Sequence, residues 1–151
     1  ISVGKYDLVH DALKRAGVRE LFYKVAQKPG KPFFAGRKGR KIVFALPGNP
    51  AAVLVCFYRY VLPALQRMSG IVPADTGLTL PLAETYEYNS DRALFLRAVA
   101  GNGKVSILSA QDSDNLFGFA QANALVYLSE GSAVIKKGQP VSVIPLTKHK
   151  Y

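Results

Sequence analysis

Apolar residues recur at helical spacing over Leu8, Val9, Ala12, Leu13 and Ala16, with Asp7 ahead of them and Gly17 behind. A short acceptor side chain before the run and a glycine after it predict a helix with Asp7 as its N-cap and Gly17 as its stop. Over residues 20–28 the pattern alternates. It predicts a strand with Phe22, Lys24, Ala26 and Lys28 on one face and Leu21, Tyr23 and Val25 on the other. Lys28-Pro29-Gly30-Lys31-Pro32 reads as a turn. Phe33 to Ala35 and Ile42 to Leu46 read as strands joined by a basic tip, Gly36-Arg37-Lys38-Gly39-Arg40-Lys41. Leu46-Pro47-Gly48-Asn49-Pro50 then opens a long apolar helix, with Asn49 at the N-cap and Pro50 in the first helical position. That helix is expected to kink near Pro63, to run to about Met68 and to stop at Gly70.

Beyond this helix the periods shorten. Apolar runs at Leu78–Leu82, Leu94–Val99, Val105–Leu108, Leu125–Leu128 and Val141–Ile144 alternate with turn residues at 89–91, 101–103, 130–132 and 137–140. Closely spaced short strands with polar turns predict a small barrel or sandwich. Asp114 to Ala122 reads as a short helix or an irregular loop.

Charge sharpens the division. Residues 1–73 hold 13 Lys and Arg against 3 Asp and Glu, whereas residues 74–151 hold 7 against 7. A boundary is expected near 71–75, with an anionic partner for the basic half: nucleic acid, a phosphorylated small molecule or an oxyanion. At 49% hydrophobic and 20% charged residues the chain of 151 can build a real core. No apolar run reaches the roughly 18 residues of a bilayer span, so no membrane association is expected. One cysteine, Cys56, excludes an internal disulfide framework, and two distant histidines, His10 and His149, make a Cys/His metal site a weak reading.

Three groups of residues have the chemistry for an anionic ligand. Lys24, Lys28 and Lys31 can converge across the Pro-Gly turn as point-charge donors, or simply form a solvated strand face. The Leu46–Pro50 segment presents free N–H groups at a helix start, with Gly48 allowing close approach, or is an ordinary strand-to-helix turn. Asp7 can cap its helix and also offer an oxygen to Mg²⁺. The Arg37–Lys41 tip reads as a solvated turn, and Cys56 with Phe57, Tyr58 and Tyr60 as packing.

Ser2-Val3-Gly4-Lys5-Tyr6-Asp7, Lys24-Val25-Ala26-Gln27-Lys28-Pro29-Gly30-Lys31-Pro32 and Leu46-Pro47-Gly48-Asn49-Pro50, in this order and at these intervals, resemble the molybdopterin molybdenumtransferase family, which includes MoeA and the E domain of gephyrin. Phe95-Leu96-Arg97-Ala98 and Ala122-Asn123-Ala124-Leu125 are similar to the family's C-terminal β domain. The resemblance covers essentially the whole chain. It implies an α/β fold in which residues 1–73 are the second half of a molybdopterin-binding α/β domain and residues 74–151 are a small all-β, barrel-like C-terminal domain. The remainder, with its Thr-Gly-Gly phosphate loop, is expected upstream. The chain alone is then expected to be inactive and to expose apolar surface on the strands at Leu21–Val25 and Ile42–Leu46 and on the face of the Ala51–Leu65 helix.

The resemblance further implies an enzyme of molybdenum cofactor biosynthesis: a cytoplasmic, homodimeric transferase that uses Mg²⁺ to insert molybdate into adenylylated molybdopterin with release of AMP. By it, Asp7 matches the metal-linked aspartate and Lys24 a lysine on the nucleotide-phosphate side. Lys28, Lys31 and Pro32 match residues of the molybdate pocket, with Arg97 and Ser113 contributed by the C-terminal domain. Ser2, Gly4, Pro47, Gly48, Asn49 and Pro50 match substrate-contacting loops. The chain departs from the family pattern at Ala51-Ala52, where Val-Ser is frequent. It departs again around Ser113, where Asp112 and Asp114 place two carboxylates beside an expected oxyanion pocket. Without the resemblance, the competing reading is a basic nucleic-acid-binding module with a small β-barrel, whose affinity would fall steeply with salt.

Overall fold

The computed structural model describes residues 1, 2, 4, 7–72, 78–109, 111 and 117–146. Helix α1 spans Val9–Arg15. Its N-cap is Leu8, whose carbonyl accepts from the Ala12 N–H at 2.9 Å, and not Asp7. Asp7 stands one residue outside and accepts from the Val9 N–H at 2.9 Å through Oδ1, an Asx turn that steers the chain into the helix. Gly17, at φ 75°, closes the other end: its N–H and that of Val18 reach the carbonyls of Lys14 and Leu13, both at 3.0 Å.

The strand expected over 20–28 is broken in two. β1 is Arg19–Tyr23 and β2 is only Gln27–Lys28. Lys24 lies at φ 63°, in the left-handed region, and turns the chain. Its N–H bonds to the Phe33 carbonyl (3.0 Å) and that of Val25 to the Lys31 carbonyl (2.9 Å), so residues 24–33 form a closed loop. Lys24 and Lys28 therefore do not share a strand face. β3 (Phe34–Lys38) and β4 (Lys41–Ala45) run further into the basic tip than the pattern predicts. They turn on two residues, with Gly39 at φ 58°, the sign its position in a tight hairpin requires. The three strands form an antiparallel sheet in the order β1–β3–β4.

The long helix begins as expected. Asn49 Oδ1 accepts from the Ala52 N–H at 3.1 Å, and Pro50 follows. It then passes through α2 (Pro50–Cys56), a π-helical turn (Phe57–Val61) and α3 (Leu62–Met68). Pro63 has no N–H, and its ring would crowd the Arg59 carbonyl in a regular helix; the wider turn precedes it and absorbs both problems.

The second half contains β5 (Leu78–Pro81), β6 (Tyr86–Ser90), β7 (Ala93–Gly101), β8 (Lys104–Ile107), the short helix α4 (Phe117–Gln121), β9 (Ala124–Leu128), β10 (Gly131–Ile135) and β11 (Pro140–Pro145). β8, β7, β9, β11 and β5 lie side by side, and a bridge between Leu82 and Val105 joins the last strand to the first. Leu96, Ala98, Val105, Val126 and Val143 fill the interior. The sheet is thus a small barrel, within a mixed α/β chain. β6 and β10, which the sequence pattern does not show, run into the turns expected at 89–91 and 130–132. They pair with each other from Tyr86↔Ile135 to Ser90↔Gly131, and Tyr86, Tyr88 and Ile135 pack on the barrel, which overrides the local preference of Asn89, Ser90 and Gly131.

The halves are fastened twice. β2 pairs in parallel with β7, Gln27 beside Ala93 and Lys28 beside Leu94. Val55 of α2 packs against Phe95, Leu125, Ile144 and Leu146 on the outside of the barrel. Where the three-stranded sheet is not so covered it is open: Leu21, Phe22 and Ile42 are 52%, 40% and 41% exposed. The helix face expected to be open is instead largely covered, with Ala51, Ala52, Val55 and Cys56 buried and only its far end, at Leu65, exposed, because the barrel and the lysine loop pack on it.

Candidate active site

The loop from Gln27 to Pro32 carries the site because it is fixed at both ends. One end is hydrogen-bonded to β7 and the other closes on Lys24 and Val25. Between them the Lys28–Pro29 peptide is cis and Gly30 adopts φ 99°. Gly30 is buried so tightly that a Cβ would lie 2.7 Å from both Cys56 Sγ and Gln27 Nε2. Gly48, expected to let a ligand approach the backbone closely, has open space beside it, whereas Gly30, which the sequence reads only as part of the turn, sits where its φ and its neighbours require glycine.

Two cavities meet at Lys28 and Pro29. The first, about 330 Å³, is lined by Ser2, Lys28, Lys31, Pro32, Pro47, Gly48 and Asn49, seven of the residues anticipated from the sequence. Arg92, from the turn into β7, also faces it; its Nε lies 3.2 Å from Asp91 Oδ1. The Arg92 guanidinium holds the Asp91 carboxyl below its ordinary value. The second cavity, about 440 Å³, is walled by Lys28 and Pro29 on one side and by Arg97, Gln111, Phe119 and Tyr86 on the other. Arg97 is 3% exposed, with its guanidinium 5.2 Å above the Phe119 ring. Gln111 fixes β7 at this point: its Oε1 accepts from the Arg97 N–H (3.0 Å) and its Nε2 donates to the Arg97 carbonyl (2.9 Å).

Four anticipated residues lie outside both linings. Gly4 donates to Ser2 Oγ at 3.1 Å, and Pro50 is exposed at the start of α2. Asp7 is one contact removed from the first cavity: its Oδ2 accepts from the Ser2 N–H. Those bonds, from Ser2 first and Val9 second, pull its carboxyl below the ordinary value, so it is ionised at neutral pH. Lys24 projects over the Tyr23 ring at 5.0 Å, and the Tyr23 hydroxyl donates to the Ser2 carbonyl at 2.9 Å. Asp7 is thus bonded to Ser2 directly, and Lys24 lies over the tyrosine that bonds Ser2; neither residue lines either cavity. Ser113 lies outside the described residues.

No cluster of three or more His, Cys, Asp or Glu side chains able to hold a metal exists among the described residues. Asp7 nevertheless suits Mg²⁺ as one carboxylate of a set completed by water and substrate phosphate, because it is ionised, only half-buried and oriented by two backbone N–H groups. Residues the sequence did not single out are Gln27, Arg92 and Gln111. Gln27 belongs to the recognisable loop motif, whereas Arg92 and Gln111 carry no signal in spacing or composition.

Comparison with known proteins identifies the family. Residues 1–67 match the family model of a probable molybdopterin binding domain, and residues 79–146 that of the MoeA C-terminal region, domain IV. The molybdopterin molybdenumtransferase of Nostoc sp. is 33% identical over 97% of this chain and 36% of its own length. That of Synechococcus elongatus is 32% identical over 95% of this chain and 36% of its own length. The chain therefore spans little more than a third of these relatives. The crystal structure of the molybdopterin biosynthesis MoeA protein from Pyrococcus horikoshii OT3 superimposes with a TM-score of 0.71 at 24% identity, over 93% of this chain and 39% of that one, and shows the same fold. No helix among the described residues is long and apolar enough to cross a membrane. With both halves matched in order by the two domain models, the chain belongs to the MoeA family of molybdopterin molybdenumtransferases, enzymes of molybdenum cofactor biosynthesis.

Proposed function

We propose that this chain supplies the oxyanion-binding side of a molybdopterin molybdenumtransferase that inserts molybdate into adenylylated molybdopterin with release of AMP, acting as a cytoplasmic homodimer. The observation that carries the reading is the convergence of Lys28, Lys31, Asn49 and Ser2 on one cavity, joined through Lys28 and Pro29 to a second cavity that holds Arg97. A tetrahedral dianion needs fixed cations and N–H donors with little room for water, and the two lysines of the rigid Lys28-Pro29-Gly30-Lys31-Pro32 loop meet that need. The larger cavity, with aromatic walls and a buried guanidinium, suits the flat and anionic parts of the pterin. Asp7, beside Ser2 at the rim, is the residue that would hold Mg²⁺, which when bound neutralises phosphate charge. Lys24, whose ammonium lies over the Tyr23 ring, would serve the nucleotide phosphates. As a boundary between functional parts, residues 1–73 provide the lysine loop and residues 74–151 the arginine.

The test is calorimetric titration of molybdate into the chain and into Lys31→Gln. Loss of one charge-assisted contact is expected to weaken binding by at least about tenfold, and sulfate at equal concentration to compete. Equal affinities for the two proteins would refute the assignment.

A further inference from the structure

Gln27 is 1% exposed, and every polar atom of its side chain is engaged within the protein. Its Nε2 donates to the Pro29 carbonyl at 2.9 Å and approaches Cys56 Sγ at 3.7 Å, while its Oε1 accepts from the Tyr60 hydroxyl. Pro29 and Gly30 are the two residues between Lys28 and Lys31, and the Gly30 carbonyl is itself approached by Cys56 Sγ at 3.8 Å. Tyr60 belongs to the π-helical turn before Pro63 and stacks on Phe33, ring centroids 4.8 Å apart and 16° from parallel. Phe33 is fully buried and stacks in turn on Phe44 of β4. An unbroken series of contacts thus runs from the π-turn through Tyr60 and Gln27 to the backbone that separates the two lysines.

Resting on the function proposed above, we propose that Gln27 is a positioning residue for the oxyanion site and that the π-turn exists to bring Tyr60 to it. The physical argument is one of alternatives. The loop has few internal bonds of its own, since Pro29 and Pro32 have no N–H to give. Its central carbonyls face a buried region where an unmade hydrogen bond is costly. A side chain that satisfies the Pro29 carbonyl from beneath fixes the peptide plane on which the Lys28 to Lys31 separation depends. The amide suits the task because it is donor and acceptor at once: one end grips the loop while the other is oriented by the tyrosine. In a regular α-helix residue 60 would be rotated relative to α2, and the widened turn sets the angle at which its ring lies flat on Phe33 and its hydroxyl points at Oε1.

The experiment measures molybdate binding by the chain over a range of chloride concentrations for wild type, Gln27→Met, Tyr60→Phe and the double variant, with Lys31→Gln as reference. Gln27→Met keeps the volume and all the cations but removes the amide. The expected result is roughly tenfold weaker binding with an unchanged salt dependence, since no charge is lost. Tyr60→Phe keeps the ring stack and is expected to weaken binding by about threefold, with the double variant no worse than Gln27→Met, because the two act through one bond. Lys31→Gln should instead lower both affinity and salt dependence. Gln27→Met within twofold of wild type, or losses that simply add, would overturn the positioning role while leaving the oxyanion site standing. If Gln27→Met does not fold, Tyr60→Phe decides alone, and wild-type affinity there overturns the proposal. Wild type that fails to bind molybdate would refute the underlying functional reading, and this inference with it.

Discussion

The barrel and the three-stranded sheet solve the same problem in opposite ways. In the barrel each strand has a neighbour on both sides, with the Leu82–Val105 bridge closing the ring, and the side chains between its walls are out of water. In the sheet β1–β3–β4 two of the three strands are edges among the described residues, α1 buries nothing, and large apolar side chains reach solvent. What core the first half has, around Phe33, Cys56 and Val61, is held by the long helix, and that helix is held by the outside of the barrel. The candidate site lies on this fastening. β2 runs alongside β7, so the lysine loop is placed by the second half although it belongs to the first. A closed sheet here serves as the rigid base on which an open one presents its functional loop.

The largest effect should come from cutting the fastening. Phe95 is 4% exposed and packs on Val55 from the barrel's outer face. Phe95→Ala should cost about 4 kcal/mol and abolish molybdate binding. Because the barrel interior is untouched, urea unfolding followed by circular dichroism and by tyrosine fluorescence should separate into two transitions. A single coincident transition would mean that the two halves do not differ as described.

One residue further along the strand the comparison can be made directly. Leu96 points into the barrel and is 7% exposed, whereas Leu21 lies on the open sheet at 52%. Leu96→Ala should destabilise by about 3 kcal/mol and Leu21→Ala by about 0.5 kcal/mol or less, read from the urea midpoint at constant slope. A large cost at Leu21 that grows with protein concentration would show that a second copy covers the sheet.

The third contrast lies within the site. Gly30→Ala must fit a methyl group where Cys56 and Gln27 already lie, at a backbone angle of φ 99°. About 2 kcal/mol of stability should be lost together with molybdate binding. Gly48→Ala meets nothing within 4 Å and should leave stability within about 0.5 kcal/mol of wild type. If the two substitutions cost the same, the loop is not held against the helix as tightly as the geometry requires.

How much of this was legible in the sequence depends on the kind of signal. Residues acting through local geometry were readable: Asn49 and Pro50 start the helix, Gly17 stops α1, and the Asn102-Gly103 turn, at φ 52° and 71°, reverses the chain between β7 and β8. The lysines were found because proline and glycine punctuate their loop. Local pattern failed where distant contacts decide. Alternation over 20–28 suggested one strand, but the left-handed Lys24 and pairing with β7 split it. Asn89, Ser90 and Gly131 looked like turns until packing of Tyr86 and Tyr88 on the barrel made them strand ends. Arg92 and Gln111 reach the site only through the barrel's topology, which no short window contains.

The smallest effect concerns how each half secures a loop. In the barrel, Asn123 clamps Ala100 from both sides with a neutral amide, its Oδ1 accepting from the Ala100 N–H (2.8 Å) and its Nδ2 donating to the carbonyl (2.9 Å). At the start of the chain the corresponding work falls to a charge: Asp7 accepts from Ser2 and Val9. Those bonds depress the Asp7 carboxyl below its ordinary 3.8. A group whose folded-state value is depressed contributes fully above the unfolded value, and that contribution is lost as the pH falls through the folded value. Between about pH 6 and pH 2 the amide resonances of Ser2 and Val9 should therefore move together, with a midpoint below that ordinary value, while that of Ala100 stays fixed. In Asp7→Asn, which can still accept one of the two bonds, the movement should vanish and stability at neutral pH should change little. A midpoint at or above the ordinary carboxylate value would mean that Asp7 does not hold Ser2 at the rim of the cavity, and the place assigned to Mg²⁺ would fall with it.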